Sequence, residues 1–508
     1  MILITSAQYV ESDLRVEVGR IPPVALPVGN RVLLSFQLEK LQAFRRPGEL
    51  LQLSLPEDFT PNSYLLKLFH KYDVTVTHVP LALGLAESVL YAMNSHPQFL
   101  DRVVILHGDT LADEFPDDED CVALTPAPSE YDWEPDAAAP HRVWAGFFAF
   151  ASAPLLSQSL VRNMSDFVAG VREYGESRPP ATPLLHGWRD FGHVHTFFDS
   201  RSMISTARSF NSLSIKDGIV RKSSTMPGKM EREFLWFEAL PLSLRPFAPA
   251  YYGRLDDGGY ALEFLPQCPL NEVFVHGRLE KGRWAVIFAS FAAWFRVARE
   301  GDHYEPSALN SRHFLLETKT DERFKNYCDS QGFDPDLQVS LNGTSVGSAA
   351  EIIADCLDRA RRLPLVPGFL HGDLCLSNTF FDTRASRLRV LDPRGTADGT
   401  HSGDLIYDLA KLAHSVLGLY DEIIAGGFAV EEGPERGSYS FTVETPDNYD
   451  RIIQQFLEFR FLPEVATSDV APVMVLLFFS MLPLHADNPA RQRALLLNAF
   501  RCYSDFVA

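Results

Sequence analysis

The chain has few cysteines, and none is paired with another in sequence. Its six, Cys121, Cys268, Cys328, Cys356, Cys375 and Cys502, never form a CxxC arrangement, so neither a disulfide framework nor a zinc site is expected, and a reducing cytoplasm fits best. Positive charge is also scarce. Lys and Arg number 46 against 66 Asp and Glu, a formal charge of −20. Phosphate backbones and anionic membranes are held by concentrated cations, so nucleic-acid and membrane-surface partners are not expected. The longest late apolar run, 473–484, is shorter than the ~20 residues a membrane span requires and reads as a buried helix. The start of the chain passes into an apolar run at Ile2 without a basic stretch or a long apolar one, which argues against a secretory signal. There is no internal repeat and no low-complexity tract. What is there, 46% hydrophobic and 22% charged residues over 508 positions, suits two or three globular domains.

The first two hundred residues alternate strand-like and helical patterns, as a mostly parallel sheet demands. Ile2–Thr5 reads as a strand, Leu34, Leu38 and Leu41 recur at helical spacing, 75–79 is β-rich, 85–93 is helical, and 103–106 is a buried strand running into His107-Gly108-Asp109. The acidic, Pro-rich stretch 113–140 has turn chemistry and reads as an excursion or loop. Near Phe210 the pattern changes to short strands with charged turns at 213–215, 218–221 and 260–265, interrupted by one helix over 230–240. After Leu270 the pattern is helical, with Trp284, Ile287, Phe288, Phe291, Trp294 and Phe295 on a wide apolar face. It is broken once, by a strand-turn-strand block over 369–392.

That block is the most informative in the chain. His371-Gly372-Asp373 is followed five positions later by Asn378, and the apolar strand 388–391 ends in Asp392. Phosphoryl transfer from ATP needs a group to orient the acceptor hydroxyl and take its proton, and hard oxygen ligands to hold Mg²⁺ against the phosphates. One hairpin carrying Asp, Asn and Asp supplies them: Asp373 as catalytic base or orienting carboxylate, Asn378 and Asp392 as metal ligands. His107-Gly108-Asp109 is a second copy of the tripeptide without the downstream Asn. The C-terminal pattern resembles the aminoglycoside phosphotransferase, choline kinase and homoserine kinase group. The resemblance implies ATP and Mg²⁺ as cofactors, His371 as a residue that orders the loop, and Asp408, in the Asp404-to-His414 helix start, as its hydrogen-bonded support. It also implies a small-lobe lysine held by a helix carboxylate, for which Lys222 and Glu233 are the pair and Glu231 the alternative. A lobe connection over 260–266 would offer backbone groups of Glu263, Phe264 and Leu265 to adenine. Arg394, beside Asp392-Pro393, either contacts acceptor or phosphate or balances charge.

Residues 1 to about 207 resemble sugar-nucleotide nucleotidyltransferases. Ile21-to-Gly29, the following helix, Gly84-to-Ser88, Leu106-to-Asp109 and Trp188-to-Gly192 carry the likeness, which implies Asp109 and Asp190 as a metal or ligand site. Two departures set this chain apart. The place of a Gly-rich phosphate loop reads Ser6-Ala7-Gln8-Tyr9-Val10-Glu11, without glycine, and Val24 stands where a lysine is expected; backbone N–H groups reach phosphates only where side chains leave room. A degenerate domain that binds a ligand or orders its neighbour is the expectation.

The fold class expected is therefore an N-terminal Rossmann-like α/β nucleotidyltransferase domain over 1–209, then a bilobal kinase-like domain with a small lobe over 210–269 and a mainly helical large lobe over 270–508. The expected function is phosphorylation of a hydroxyl on a small polar metabolite, a sugar, sugar acid or polyol. The fused layout resembles proteins of bacterial capsule and surface-polysaccharide synthesis. Two alternatives stand beside it: a bifunctional enzyme that phosphorylates and then nucleotidylates a metabolite, and a catalytically silent scaffold or binding protein.

Overall fold

The computed structural model describes all residues except 97–99, 127–133, 137, 164–165, 205–210, 225–226, 281, 302, 304 and 395–400. Two compact units are present. One comprises Met1–Ile204 with His276–Leu279, and the other Ser205–Val275 with Glu280–Ala508. The expected boundary at 209/210 lies outside the described residues.

The first unit is built on a six-stranded sheet in the order Val74–Val79, Leu51–Pro56, Ile2–Thr5, Val103–His107, Arg142–Phe150, Cys121–Pro126. The first four run parallel, and Arg142–Phe150 runs antiparallel to both of its neighbours. Ile2, Leu3, Ile4 and 103–106 are fully buried, because central parallel strands are covered on both faces and read as unbroken apolar runs. Chain order reverses between Ile2–Thr5 and Val103–His107, and the crevice beyond the carboxyl ends of such strands is where open α/β sheets bind ligands. Cys121–Pro126 corrects the reading of 113–140 as turn chemistry throughout. It is a strand buried over its first five residues, hidden in the sequence because acidic and Pro-rich neighbours outweigh a short apolar run.

The second unit begins with a four-stranded antiparallel sheet, in the order Asn211–Lys216, Ile219–Ser224, Tyr260–Glu263, Tyr251–Arg254, with the helix Pro227–Ala239 between its strands in sequence. The remainder is mainly helical. The hairpin Thr379–Asp382 and Arg387–Val390 interrupts it, and Pro367–Phe369 pairs with Ser402–Asp404. A second interruption was not legible: Thr344–Gly347, Val339–Leu341, Ser438–Val443 and Phe428–Glu432 form another sheet. Three of those strands are largely exposed or half-buried, so they lack the apolar alternation that marks a strand in sequence. The apolar segment Thr467–His485 is long enough by composition to cross a membrane, yet 78% of its apolar window is buried inside the protein. All of its helical part, Ala471–Met481, is buried.

Trp236, on Pro227–Ala239, is completely buried; its indole Nε1 donates to the Leu370 carbonyl at 2.9 Å, and its rings meet Trp294, Phe369 and His371. That contact joins the first helix of the unit to the strand end preceding Asp373. Trp236→Ala is expected to destabilise the unit by about 3–5 kcal/mol through cavity formation, and Trp236→Phe by roughly 1 kcal/mol through the lost hydrogen bond, read as shifts of the urea midpoint.

Candidate active site

The loop at His371 to Asn378 is irregular, so its backbone polar groups need partners from elsewhere. Asp408, wholly buried on the helix Leu405–Val416, accepts the N–H groups of His371 and Gly372, each at 2.8 Å. Burial pushes the Asp408 carboxyl up to about 7, against the pull of those two donors. Gly372 has φ +80°, a conformation that glycine adopts without a Cβ penalty. His371 Nδ1 accepts the N–H of Asp373 at 3.2 Å, and burial lowers its pKa to about 4. A neutral imidazole in that bond orders the loop. One turn earlier, Asp404 caps the helix through the Ile406 N–H and receives Arg312 at 2.6 Å.

Two backbone bonds clamp the loop to the hairpin: the Leu391 N–H to the Asn378 carbonyl and the Arg394 N–H to the His371 carbonyl, both 2.8 Å. The Asn378 amide donates to the Asp373 carbonyl at 2.9 Å, which turns its oxygen away from that bond. Asp392 sits just past Arg387–Val390 with φ +54°, a left-handed conformation uncommon outside glycine and tolerated best by Asp and Asn. Its carboxylate is half exposed and meets the Lys222 ammonium at 2.8 Å. Lys222, on Ile219–Ser224, is buried and lies 2.6 Å from Glu233, which also accepts the Tyr260 hydroxyl at 2.6 Å. Burial alone would lower the Lys222 pKa, but Asp392 and Glu233 outweigh it and raise it. Of the two candidate carboxylates, Glu233 and not Glu231 is the one on Lys222.

Asp373 is held from both sides. Lys411 Nζ and Arg394 Nη2 each lie 2.9 Å from its carboxylate. Burial pushes the carboxyl up, and these two cations overcome that and keep it well below the usual range. Lys411 was not singled out from sequence, although a lysine inside the apolar run 405–416 is a signal in itself, since a fully buried cation needs a partner. At 260–265, the Glu263 N–H goes to the Ala250 carbonyl at 2.9 Å and the Phe264 N–H to Gly218 at 2.8 Å. Both are spent within the sheet, so neither is a donor for adenine, and the expectation narrows to Leu265 and to carbonyl oxygens. The Glu263 carboxylate takes the Ala250 N–H and Arg389.

In the first unit, Asp109 follows Val103–His107 at the point where strand order reverses. A Cβ on Gly192 would lie 2.8 Å from an Asp109 oxygen and 3.3 Å from one of Asp190, so the two carboxylates flank the same glycine. Asp190 is buried and bonded to His193, Thr196 and the Gly192 N–H; burial and then the charge of Asp109 raise its pKa. Both border a cavity of about 460 Å³ walled by Trp144, Phe148, Phe167 and Trp188. The place of the phosphate loop is taken up by side chains: the Tyr9 hydroxyl donates to Asp58 at 2.6 Å, Arg20 pairs with Asp58 at 2.7 Å and lies 3.8 Å over the Tyr9 ring, and Gln8 donates to the carbonyls of Leu81 and Leu83.

No family model and no curated protein matches the chain. Among solved structures, it is similar over 40% of its length to a nucleoside-diphosphate-sugar pyrophosphorylase from Vibrio cholerae RC9, with 11% identity, 99% of that chain covered and a TM-score of 0.33. It is similar over 59% of its length to a choline/ethanolamine kinase family protein from Mesorhizobium loti, with 13% identity, 85% of that chain covered and a TM-score of 0.35. An aminoglycoside-3'-phosphotransferase of type VIII is similar over 56% of this chain and all of its own, at 14% identity and a TM-score of 0.29. At such values the chemistry must be read from the side chains themselves.

Asp408→Ala removes the shared acceptor of two buried N–H groups, each costing about 1–3 kcal/mol when orphaned. A fall in thermal midpoint is expected for Asp408→Ala, with a smaller fall for Asp408→Asn, whose amide oxygen still accepts one of them; equal midpoints for wild type and Asp408→Ala would remove this role.

Proposed function

We propose that the second unit is an ATP- and magnesium-dependent phosphotransferase acting on a hydroxyl of a small polar metabolite, a sugar, sugar acid or polyol. One observation carries the reading: the small-lobe Lys222 meets Asp392 at 2.8 Å, while in the loop before the hairpin the Asn378 amide bonds the Asp373 carbonyl and the Asn378 carbonyl takes the N–H of Leu391, the residue next to Asp392. The donor set of these residues fits a magnesium nucleotide. Magnesium is commonly held by one or two protein oxygens with phosphates and water completing the shell, and the Asn378 amide oxygen and the half-exposed Asp392 carboxylate are donors of that kind; among the described residues no cluster of three or more His, Cys, Asp or Glu offers an all-protein metal cage. The bound magnesium nucleotide supplies the phosphoryl group and the charge stabilisation at its oxygens.

The chain's own residues do the rest. Lys222, held by Glu233, would neutralise phosphate charge, and Asn378 and Asp392 would hold the cation. Asp373 accepts the hydrogen bond of the acceptor hydroxyl and orients its oxygen. Because two cations keep Asp373 ionised across the neutral range, it is a weak base that takes the proton late, once transfer has acidified the hydroxyl. Resemblance to fused proteins of surface-polysaccharide synthesis extends the reading to a precursor of such polymers in the cytoplasm.

A second reading, nucleotidyl transfer by the first unit, is favoured by the paired Asp109 and Asp190 at the cavity. The side chains occupying the phosphate-loop position weigh against it, since no cation-bearing glycine loop is present there to cradle a triphosphate. A retained cavity with another ligand is the preferred role.

Asp373→Asn is expected to bind Mg-ATP with little change and to lose turnover by several orders of magnitude, measured by calorimetry and by ATP consumption over sugars, sugar acids and polyols. Unaltered turnover removes Asp373 from the mechanism. Release of pyrophosphate from a nucleoside triphosphate and a phosphorylated sugar, abolished by Asp109→Asn, would instead establish the second reading.

A further inference from the structure

The helices Glu305–Arg312 and Lys319–Gln331 are joined without a break by a π-helical segment, His313–Thr318. Such segments recur at functional sites, where the wider turn re-aims the side chains that follow. The side chains re-aimed here are cationic: Lys319 and Arg323, one turn apart on the same face. Arg323 donates to the Ser480 carbonyl at 3.3 Å, near the end of the buried helix Ala471–Met481. The helix bearing Lys411 packs on that same buried helix.

The charges meet at Asp373. Besides Lys411 and Arg394, each 2.9 Å from its carboxylate, Lys319 and Arg323 both lie within electrostatic reach of Arg394 and Asp373. Burial, then Arg323, Arg394 and Lys411, push the Lys319 ammonium down to about 7. Burial, then Arg394, likewise lowers the pKa of Arg323. Other acidic groups that act on these cations include Tyr407 and Cys375, both facing Arg394 and Lys411, Tyr420, which acts on Arg394, Glu322, exposed beside Arg323, and Asp421, buried behind Lys411. Two cations thus bond one carboxylate while two more act on it from electrostatic reach, and the Arg394 side chain, 44% exposed, still faces solvent. Like charges gathered this way repel one another unless an anion joins them, and a cationic acceptor would be driven off.

We infer that the acceptor is an anionic hydroxylated metabolite, a sugar acid or a sugar phosphate, whose carboxylate or phosphate is gripped by Lys319, Arg323 and Arg394 while its hydroxyl meets Asp373. This rests on the phosphotransferase reading above and narrows its acceptor class. Guanidinium and ammonium groups suit such anions through charge-assisted hydrogen bonds.

The test uses the full chain saturated with magnesium and a non-hydrolysable ATP analogue, so that added anions cannot occupy the nucleotide's own phosphate positions. Acylation of Lys319 by an amine-directed reagent is followed by peptide mass spectrometry, with exposed Lys325 on the same helix as internal control. Inorganic phosphate or D-gluconate is expected to slow labelling of Lys319 but not of Lys325, and glucose and choline to leave both unchanged. Protection by phosphate alone indicates a phosphate ester, and by gluconate alone a sugar acid. Arg394→Gln and Arg323→Gln should each raise the half-protecting concentration roughly tenfold; Arg394, half exposed, carries this arm if Arg323→Gln does not fold. Failure of both anions to protect, equal protection by choline, or protection indifferent to Arg394→Gln overturns the inference. Calorimetry of analogue binding is read separately: binding without anion protection sinks the inference and spares the kinase, whereas no binding sinks the kinase reading itself.

Discussion

The buried ammonium of Lys222 between Glu233 and Asp392 is the constraint around which the second unit is arranged. Withdrawing a charge from water costs several kcal/mol, and the cost is tolerable only where partners approach with good geometry. Here the partners come from a helix of the small lobe and from the hairpin of the large one, at 2.6 and 2.8 Å. Satisfying one cation therefore ties two neighbouring segments of the chain to a third that lies 170 residues further on. Tyr260 adds its hydroxyl to Glu233, so the carboxylate that holds the lysine is itself held.

The loop from His371 to Asn378 follows the same logic with less regular structure. Its backbone has no ladder to join, and Asp408, the Ser415 hydroxyl and the His371 imidazole supply the missing partners. Together with the burial of Leu370, Leu374 and Leu376, these bonds let a short irregular segment keep one conformation. The neighbouring cations then set the character of Asp373: burial would favour its protonated form, and Lys411 and Arg394 prevail over burial.

The first unit places its paired carboxylates by topology. The reversal of strand order still presents Asp109 and Asp190 at a cavity, because sheet topology places loop ends there whatever residues they carry. Past the end of Ile2–Thr5, where a phosphate-binding loop would need bare backbone, Tyr9, Arg20 and Asp58 form a bonded cluster of side chains.

Much of this was legible in the linear chain. The apolar runs of Ile2–Thr5 and 103–106, the helical faces, and the spacing of Asp373, Asn378 and Asp392 are local patterns, with the first two residues in one loop and the third just past the hairpin that follows it. Lys222 with Glu233 was also open to inference, since both lie in one small lobe. The second sheet of the large unit, the commitment of the Glu263 and Phe264 N–H groups, and the gathering of Lys319, Arg323, Arg394 and Lys411 were decided by tertiary structure alone. Those depend on which distant segments pack side by side, and a long-range charge cluster leaves no period or spacing in the sequence from which it can be read.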